Sequence, residues 1–353
     1  MAAVIETDAL VVGAGPAGLF LVFELGLLGI AAHLVDVQDQ AGGQCIALYA
    51  DKPIYDIPAV PLCTGRELTH QLLRQISPFS PVFHFGQQVG TLERQPDGRW
   101  QVETETDGRL CQQFLTRTLL IAAGVGAFVP KQLKVEGLAA FVGRQLFYQT
   151  SPAGALAQQR VVVVGGEDAA VMNALALAES GADQAQSVTL LHRRDVFEAS
   201  AADLARLAAL RAAGIIQVQV GQITGIQTAG GRLSAVLVST PDQATLTLPL
   251  DMLLVCQGIS TKLGPLTHWG LAMERKQLCV SPATFATSEP SIFAVGDVIT
   301  YPGKKKLIVC GFHEATLAAF AAARLIQPEQ SEVLQYTSSS ALLQQRLGIR
   351  SGA

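Results

Sequence analysis

The sequence predicts an α/β protein with two doubly wound domains, of which the second is inserted into the first. The segments 10–18 and 161–170 each place a glycine-rich turn between a β-branched apolar run and an Ala/Leu-rich run with helical spacing. After each turn the chain repeats one plan, a βαβ unit followed by a meander and a return strand. A length of 353 residues with 49% hydrophobic residues provides material for two cores.

The first half opens with a βαβ unit. Its hydrophobic periods predict a strand over 4–12, a helix over 16–30 and a strand over 33–37. Residues 40–64 show no clean period, which favours a long functional loop, and a helix is predicted over 65–76. A meander with two hairpin turns comes next. Its strands are predicted at 82–85, 89–95, 100–106, 111–115 and 118–122, and its turns at Pro96-Asp97-Gly98 and Asp107-Gly108.

The second half begins after a linker that runs from residue 124 to about residue 157. Its predicted elements are a strand and turn from Val161, a strand over 187–192, a helix over 201–213, a strand over 215–220 and a meander over 222–257. We expect the chain to close with strands over 292–295 and 307–310 and a helix over 313–326. The predicted domains are residues 1–122 with 288–353, and residues 123–287.

The composition argues against several classes of function. A net charge of −4 without interleaved arginine and aromatic residues argues against nucleic acid as a partner. No apolar run reaches the 18 or so residues of a membrane span, and no signal peptide is evident, so we expect a soluble cytoplasmic protein. The six cysteines form no C-x-x-C pair and lack metal-ligand spacing with histidine. The basic run Lys304-Lys305-Lys306 is interpreted as a solvated loop.

The first turn predicts a dinucleotide site. Gly13 permits the tight turn, Gly15 lets the backbone approach a pyrophosphate, and Gly18 lets helix and strand pack closely. The helix that starts at Pro16-Ala17 offers unpaired N–H groups and a positive dipole end to the phosphates.

Two acidic residues indicate which dinucleotide binds there. Asp36 follows the next strand, where a carboxylate accepts hydrogen bonds from ribose hydroxyls. Gly296-Asp297 after an apolar strand favours FAD, because an acidic residue at that point can bind the ribityl chain. The predicted helix from His313 would direct its positive end at the flavin and stabilise the anion formed on reduction.

A run of motifs, in order along nearly the whole chain, resembles the thioredoxin-reductase-like type of ferredoxin–NADP(+) reductase. Together the motifs are far more specific than any one of them. They are the turn 11–18, Gly42-Gly43-Gln44, Tyr49, Pro53-Ile54-Tyr55-Asp56-Ile57-Pro58, Gly124-Val125-Gly126-Ala127-Phe128, His192-Arg193-Arg194-Asp195, Val295-Gly296-Asp297 and Gly311-Phe312-His313-Glu314-Ala315.

That resemblance implies two Rossmann-like three-layer ββα domains, with the NADP(H)-binding domain inserted into the FAD-binding domain, in a homodimer. It implies an enzyme that passes electrons between NADPH and ferredoxin or flavodoxin through FAD. Tyr49 and Tyr336 are implied to stack on the isoalloxazine, and the tail 336–339 to cover it. Domain rotation in related reductases makes 124–126 and 258–260 candidate hinges. The residues assigned to FAD are Gly13, Gly15, Pro16, Ala17, Gly18, Asp36, Gln44, Tyr49, Val89, Phe128, Asp297 and Ser338.

The second turn predicts the NADPH site but departs from the family pattern. Arg193-Arg194 follow the strand over 187–192, where two guanidinium groups match a 2′-phosphate and favour NADP over NAD. The family pattern Gly-Gly-Gly-Asp-Ser-Ala is here Gly-Gly-Glu-Asp-Ala-Ala, and an acidic residue at 198 replaces an arginine. Three changes, Glu167, Ala169 and Glu198, therefore act against phosphate binding. The residues predicted to bind NADPH are Gly165, Gly166, Asp168, Ala169, Arg193 and Arg194.

Two other residues and the missing cysteine pair bear on the mechanism. His192 is interpreted as a packed strand-end residue, and Cys45 as a buried thiol. Since no C-x-x-C dithiol can relay electrons, they must leave the flavin directly for a one-electron carrier, a quinone or oxygen. Two alternatives stay open beside the reductase: a flavoprotein of this fold that has lost efficient NADPH use, and a non-catalytic flavin redox sensor.

Overall fold

The computed structural model describes residues 4–106, 108–149, 151–152, 154–179, 181, 184–329 and 334–349. The chain divides into two units, Met1–Ala127 with Thr261–Ala353 and Phe128–Ser260, so that the second interrupts the first in sequence. These boundaries differ from the predicted 122/123 and 287/288. Residues 261–287 lie with the first unit because their apolar side chains Leu266, Leu271, Leu278 and Phe285 are buried in its core.

The helices and strands have the following bounds. The helices are α1 (Pro16–Leu27), α2 (Gln44–Tyr49), α3 (Gly65–Ile76), α4 (Asp168–Glu179), α5 (Ala201–Ala212), α6 (Ile308–Ile326) and α7 (Ala341–Arg346). The strands are β1 (Val4–Val12), β2 (Ala32–Val35), β3 (Pro53–Ile54), β4 (Cys63–Thr64), β5 (Val82–His84), β6 (Gln88–Arg94), β7 (Trp100–Thr106), β8 (Arg109–Ile121), β9 (Ala127–Pro130), β10 (Leu146–Tyr148), β11 (Arg160–Val164), β12 (Ser187–His192), β13 (Ile216–Val220), β14 (Gln222–Ala229), β15 (Arg232–Ser239), β16 (Thr245–Pro249), β17 (Met252–Val255), β18 (Ile259–Lys262), β19 (Met273–Glu274), β20 (Gln277–Cys279), β21 (Ile292–Ala294) and β22 (Ile299–Thr300).

The first unit is built on a seven-stranded sheet in the order β5–β2–β1–β8–β7–β6, with β21 paired to β8. Strand β8 joins its two parts, because it pairs in parallel with β1 and β21 and antiparallel with β7. The turn after β1 is therefore flanked by the carboxyl ends of β2 and β8. Helix α1, which follows that turn, packs against α3 and α6.

Strand β8 was predicted as two strands, 111–115 and 118–122, and is one continuous strand. The predicted break falls beside the polar residues Thr116 and Thr118. Both are buried, and their hydroxyl groups donate to the carbonyl oxygens of Thr118 (2.8 Å) and Asp8 (2.9 Å). Since both hydroxyls are satisfied inside the sheet, the strand continues through them. Of the two predicted hairpin turns, Gly98 has the expected positive φ, whereas Asp107 lies outside the described residues.

Two other predictions in the first unit are wrong. The segment 40–64 is not an unbroken loop, because α2 starts directly after Gly43, whose φ of 51° turns the chain into the helix. The strand predicted over 307–310 does not form, and α6 begins at Ile308 instead of His313. Gly311 lies inside this helix and does not break it. Its missing side chain serves packing, since a Cβ there would lie 3.2 Å from the Ala17 Cβ of α1.

The second unit has three layers. The middle layer is a five-stranded parallel sheet in the order β10–β17–β11–β12–β13. Helices α4 and α5 cover one face, where Val161 and Val163 are buried, and the antiparallel sheet β14–β15–β16 covers the other, where Val162 and Val164 are buried. Both faces of β11 are therefore dry, which explains its unbroken run of valines. The predicted α/β fold with layered ββα organisation is confirmed.

The chain passes between the units in β9 and again in β18. Inside the second unit, the Lys131 N–H donates to the Gly258 carbonyl at 3.0 Å, and the Ser260 hydroxyl donates to the Val129 carbonyl at 3.2 Å. These bonds tie together the segments that enter and leave the second unit. One of the two candidate hinges, 258–260, is thus anchored on its second-unit side.

Helix α6 is long and apolar enough to span a membrane by length and composition alone. Its packing identifies it as a core helix of the first unit. Glu314 in its second turn has no solvent exposure, and Ala315, Ala318, Ala319 and Ala322 are buried in the same core. A carboxylate buried among neighbouring polar groups belongs to a protein interior.

Two histidines lie side by side on the neighbouring strands β2 and β5. His33 Nδ1 and His84 Nε2 lie 3.0 Å apart, and both rings pack against Phe114. Burial lowers the pKa of both imidazoles from the ordinary value of 6.5, and His33 lowers that of His84 further. The pair is therefore held neutral, with one ring donating to the other.

We predict that acid destabilises the protein through this pair. The unfolded chain takes up protons below a pH of about 6.5, whereas the folded pair resists them until the pH falls through its lowered pKa values. The free energy of unfolding should fall over that window by up to about 1.4 kcal/mol per pH unit for each histidine. Urea titrations of His84→Gln should give a shallower slope. The exposed His268→Gln is the control, and equal slopes for the two variants would contradict the prediction.

Candidate functional site

The turn after β1 has no room for side chains at two of its glycines. Gly13 has a φ of +112°, and a Cβ there would lie 2.3 Å from the Ala122 carbonyl oxygen. A Cβ on Gly18 would lie 1.9 Å from the Gly13 carbonyl oxygen. The Gly13 N–H donates to the Val35 carbonyl at 2.8 Å, so the end of β2 fixes the turn. These contacts are the ones that a phosphate-binding turn requires.

Gly15 faces a second glycine turn across a narrow gap. The Gly42 N–H donates to the Ala14 carbonyl at 2.8 Å, and a Cβ on Gly43 would lie 2.9 Å from the Gly15 Cα. A Cβ on Gly15 itself would meet only the Gly43 Cα, at 3.9 Å. Bare backbone thus lines both sides of the start of α1, where Pro16 and Ala17 form the first turn. This cradle fits the pyrophosphate of a dinucleotide.

Asp36, which is predicted to bind the adenosine ribose, is held beside this turn by backbone donors. Its two carboxylate oxygens accept hydrogen bonds from the backbone N–H groups of Ala14 (2.6 Å) and Gln38 (2.8 Å). Burial raises the pKa of this carboxyl, and the two backbone donors oppose that rise. Because each oxygen has a second lone pair, the carboxylate can still accept from two ribose hydroxyls.

Gln44 and Asp297, which are far apart in sequence, meet in the structure. The Gln44 side-chain amide donates to Asp297 Oδ2 at 3.0 Å. Tyr49, at the end of α2, is half-buried, and the Cys45 thiol donates to its hydroxyl at 3.5 Å. Burial raises the pKa of both the Tyr49 phenol and the Cys45 thiol, so both groups stay neutral at physiological pH. Three of the residues assigned to FAD are thus joined through α2 and the turn after β21.

Sequence reasoning missed the group that holds this turn. Glu314 Oε2 accepts the Gly296 N–H at 2.7 Å, and Oε1 accepts the Tyr301 hydroxyl at 2.9 Å and the Lys304 ammonium at 2.5 Å. Burial and the bond to Glu314 raise the pKa of Tyr301 to about 12. The signal was an isolated glutamate inside an apolar helix, which needs buried donors.

Lys304 was predicted to be part of a solvated loop, and for this residue the prediction is wrong. Its side chain is only 6% exposed and forms an ion pair with Glu314. Lys305 and Lys306 are exposed, as the prediction required. No local feature separates the three lysines, because the difference comes from the position of α6.

The remaining residues assigned to FAD have less defined surroundings. Val89 is buried in β6, and Phe128 lies in β9. Tyr336 is 64% exposed, and Ser338 is also exposed. The tail is attached through α7, where the Arg346 guanidinium donates to the Leu27 carbonyl at the carboxyl end of α1. Stacking of Tyr336 and coverage of the flavin by the tail stay predictions.

In the second unit, the loops that carry the predicted NADPH residues lie at the carboxyl edge of the parallel sheet. The strands β10, β17, β11 and β12 run in parallel and end together. The residues that follow them are Gln149, Cys256 to Gly258, Gly165 to Glu167, and Arg193-Arg194. Ligands of open α/β sheets bind at this edge.

The second turn is as tightly packed as the first at its two glycines. A Cβ on Gly165 would lie 2.2 Å from the Cys256 carbonyl oxygen, and a Cβ on Gly166 would lie 2.5 Å from His192 Nε2. The His192 ring therefore packs against the turn at Gly166, in agreement with its interpretation as a packed residue. Burial lowers its pKa, and so do Arg193 and Arg194.

The charges around this turn are exposed. Arg193 and Arg194 are exposed, and within the described residues neither forms an ion pair, whereas Asp195 pairs with Arg211 in α5 at 2.8 Å. The Glu198 side chain is exposed, and its backbone N–H donates to the Gly166 carbonyl at 2.8 Å. Two guanidinium groups are thus available to an anionic ligand.

Glu167 lies at the start of α4, where its carbonyl accepts the N–H of Ala170 at 2.9 Å. Its carboxylate extends toward Gly258, since a Cβ on Gly258 would lie 3.4 Å from Glu167 Oε2. Asp168 and Ala169 form the first turn of α4. The predicted NADPH residues therefore all lie at the carboxyl edge of the parallel sheet, and Glu167 lies between them.

Comparisons with known proteins find relatives along nearly the whole chain. The model of the pyridine nucleotide-disulphide oxidoreductase family matches residues 7–319. A ferredoxin–NADP reductase of Paracidovorax citrulli is 55% identical over 99% of this chain and 98% of its own, and one of Albidiferax ferrireducens is 54% identical over 98% and 97%. A thioredoxin reductase of Lactococcus lactis is 22% identical over 91% of this chain and 99% of its own, with a TM-score of 0.59. That structure supports the fold alone.

We predict that Lys304→Met destabilises the first unit by about 3–5 kcal/mol, because it leaves the buried Glu314 charge unpaired. The exposed neighbour Lys305→Met is the matched control and should change stability by no more than about 0.5 kcal/mol. Urea unfolding of both variants measures the difference. Equal midpoints would show that the buried ion pair does not stabilise the turn after β21.

Proposed function

The chain belongs to the pyridine nucleotide-disulphide oxidoreductase family and, within it, to the ferredoxin–NADP reductases, and we propose that it transfers electrons between NADPH and a ferredoxin through FAD. One observation carries the proposal. The same strand–turn–helix unit occurs in both units, but the residue type after the second strand differs: the carboxylate Asp36 in one and the guanidinium groups of Arg193 and Arg194 in the other. A carboxylate suits free ribose hydroxyls, and paired arginines suit a 2′-phosphate.

The residues of the first unit would hold FAD. The amides around Gly15 would bind its pyrophosphate, Asp36 its adenosine ribose, and the Gln44–Asp297 pair its ribityl and flavin end. The first turn of α6, which begins at Ile308, lies close to Gly296, since a Cβ on Gly311 would lie 3.8 Å from the Gly296 Cα, and Glu314 holds Gly296 in place. Bound FAD supplies the exchange between two-electron hydride chemistry and one-electron transfer.

The residues of the second unit would bind NADPH as substrate. Gly165 and Gly166 keep the turn free of side chains, and Arg193 and Arg194 would contact the 2′-phosphate. The chain has no C-x-x-C pair, so it lacks the dithiol that a disulfide reductase of this fold uses as a relay. Electrons would leave directly to ferredoxin or flavodoxin. Homodimer assembly and a cytoplasmic location belong to the same proposal.

Glu167 favours a second candidate function. Its carboxylate stands at the turn where phosphates would approach, and like charges repel. A flavoprotein of this fold that accepts electrons from reduced ferredoxin, with weakened use of NADPH, is consistent with that position.

Steady-state turnover tests the proposal. Purified, FAD-loaded protein should oxidise NADPH only when ferredoxin or flavodoxin is present. It should reduce that carrier in one-electron steps. Oxidation of NADPH without carrier reduction, or no oxidation with either carrier, would refute the assigned activity.

We predict that Arg193→Ala and Arg194→Ala each raise the KM for NADPH by about 10–100-fold, because each removes a charge-assisted hydrogen bond worth about 1.5–3 kcal/mol. The KM for NADH, which lacks the 2′-phosphate, should change little. Arg232→Ala, an exposed position in β15 of the same unit, is the control. Parallel losses with both nucleotides would show that the arginines do not select the 2′-phosphate.

A further inference from the structure

A lysine lies beside the unexpected glutamate of the second turn. A Cβ built on Gly258 would lie 3.4 Å from Glu167 Oε2 and 3.7 Å from Lys131 Nζ. The carboxylate and the ammonium therefore both lie close to this point and within about 7 Å of each other. Both side chains are exposed, and within the described residues they form no ion pair.

Hydrogen bonds hold the backbone between them in place. The Gly258 carbonyl accepts the Lys131 N–H at 3.0 Å and the Gln149 side-chain amide at 2.9 Å. Gln149 itself has a φ of +64°, a left-handed conformation that is rare for a residue with a side chain. Strained residues of this kind persist where the surrounding structure fixes them, often at ligand sites. Lys131 is thus presented at the carboxyl edge of the sheet by a fixed segment.

This location gives Lys131 a possible contact with phosphate. The turn that ends at Glu167 leads into the N-terminus of α4, where a pyrophosphate would sit. Gly258 follows β17, the strand adjacent to β11, so its loop borders the same space. An ammonium that borders this space attracts the same phosphates that the Glu167 carboxylate repels. Arg193 and Arg194 follow β12, on the other side of β11 from β17.

We propose that Lys131 binds the pyrophosphate of NADPH and offsets the charge of Glu167, so that the second turn keeps its affinity without the glycine of the family pattern. The inference rests on the proposed function, because it assumes that NADPH binds at this turn. It assigns different parts of the ligand to different cations: the 2′-phosphate to the arginines and the pyrophosphate to Lys131.

Equilibrium titration calorimetry with two probes tests this assignment. NADP+ contains both phosphate groups, whereas adenosine 2′-monophosphate lacks the pyrophosphate. FAD-loaded Lys131→Gln should bind NADP+ about tenfold more weakly than wild type, and adenosine 2′-monophosphate equally well. Glu167→Gln should bind NADP+ about tenfold more tightly, and the double variant should return close to wild type. Lys134→Gln, an exposed lysine nearby, is the control.

Each other outcome overturns the assignment. If Lys131→Gln bound NADP+ like Lys134→Gln, Lys131 would have no role in binding. If it lost affinity for both probes equally, it would act on the whole unit and not on the pyrophosphate. In both of these cases the wild-type protein still binds NADP+, so only the inference about Lys131 fails. If the wild-type protein bound FAD but neither probe, the proposed use of NADPH would fail as well.

Discussion

Both proposed nucleotide sites depend on one constraint: the turn after a parallel strand must present backbone N–H groups to phosphate without an intervening side chain. The packing of Gly13 against Ala122 in the first unit, and of Gly165 against Cys256 in the second, enforces that geometry, since a Cβ at either glycine would lie about 2 Å from a carbonyl oxygen. The charged side chains at each site differ, but they surround the same backbone geometry. Glu167 is the departure, because a side chain stands where the family pattern has none.

The charged groups at the proposed sites are buried and hydrogen-bonded in the first unit but exposed in the second. This difference matches a cofactor that stays bound in the first unit and a substrate that exchanges in the second. In the first unit Glu314 is fully buried with three donors, and Asp36 is held by two backbone amides. These hydrogen bonds fix both carboxylates to the backbone or side chains around them. In the second unit Arg193, Arg194 and Lys131 are exposed. Exposed cations leave a bound nucleotide free to exchange, whereas a preorganised buried network favours long occupancy.

Sequence patterns predicted those parts of the fold that depend on interactions between residues close together in the chain. The strand at 187–192, the helix at 65–76 and both glycine turns follow from apolar periods and turn residues, and the structure confirms them. The misses needed tertiary information. β8 continues through Thr116 because its neighbours satisfy the hydroxyl, and Lys304 differs from the next two lysines because α6 brings a buried carboxylate to it. No local signal marks Lys131, whose importance depends on which strands end side by side.

We propose that the second unit delivers electrons from NADPH to the flavin despite Glu167. Anaerobic rapid mixing of FAD-loaded wild-type protein with NADPH tests it most directly, because it isolates that half-reaction from any carrier. We expect the visible flavin absorbance to be lost at a rate that saturates with NADPH concentration. Absorbance that persists with NADPH, but is lost on mixing with reduced ferredoxin, would contradict it and would favour the enzyme that no longer uses NADPH.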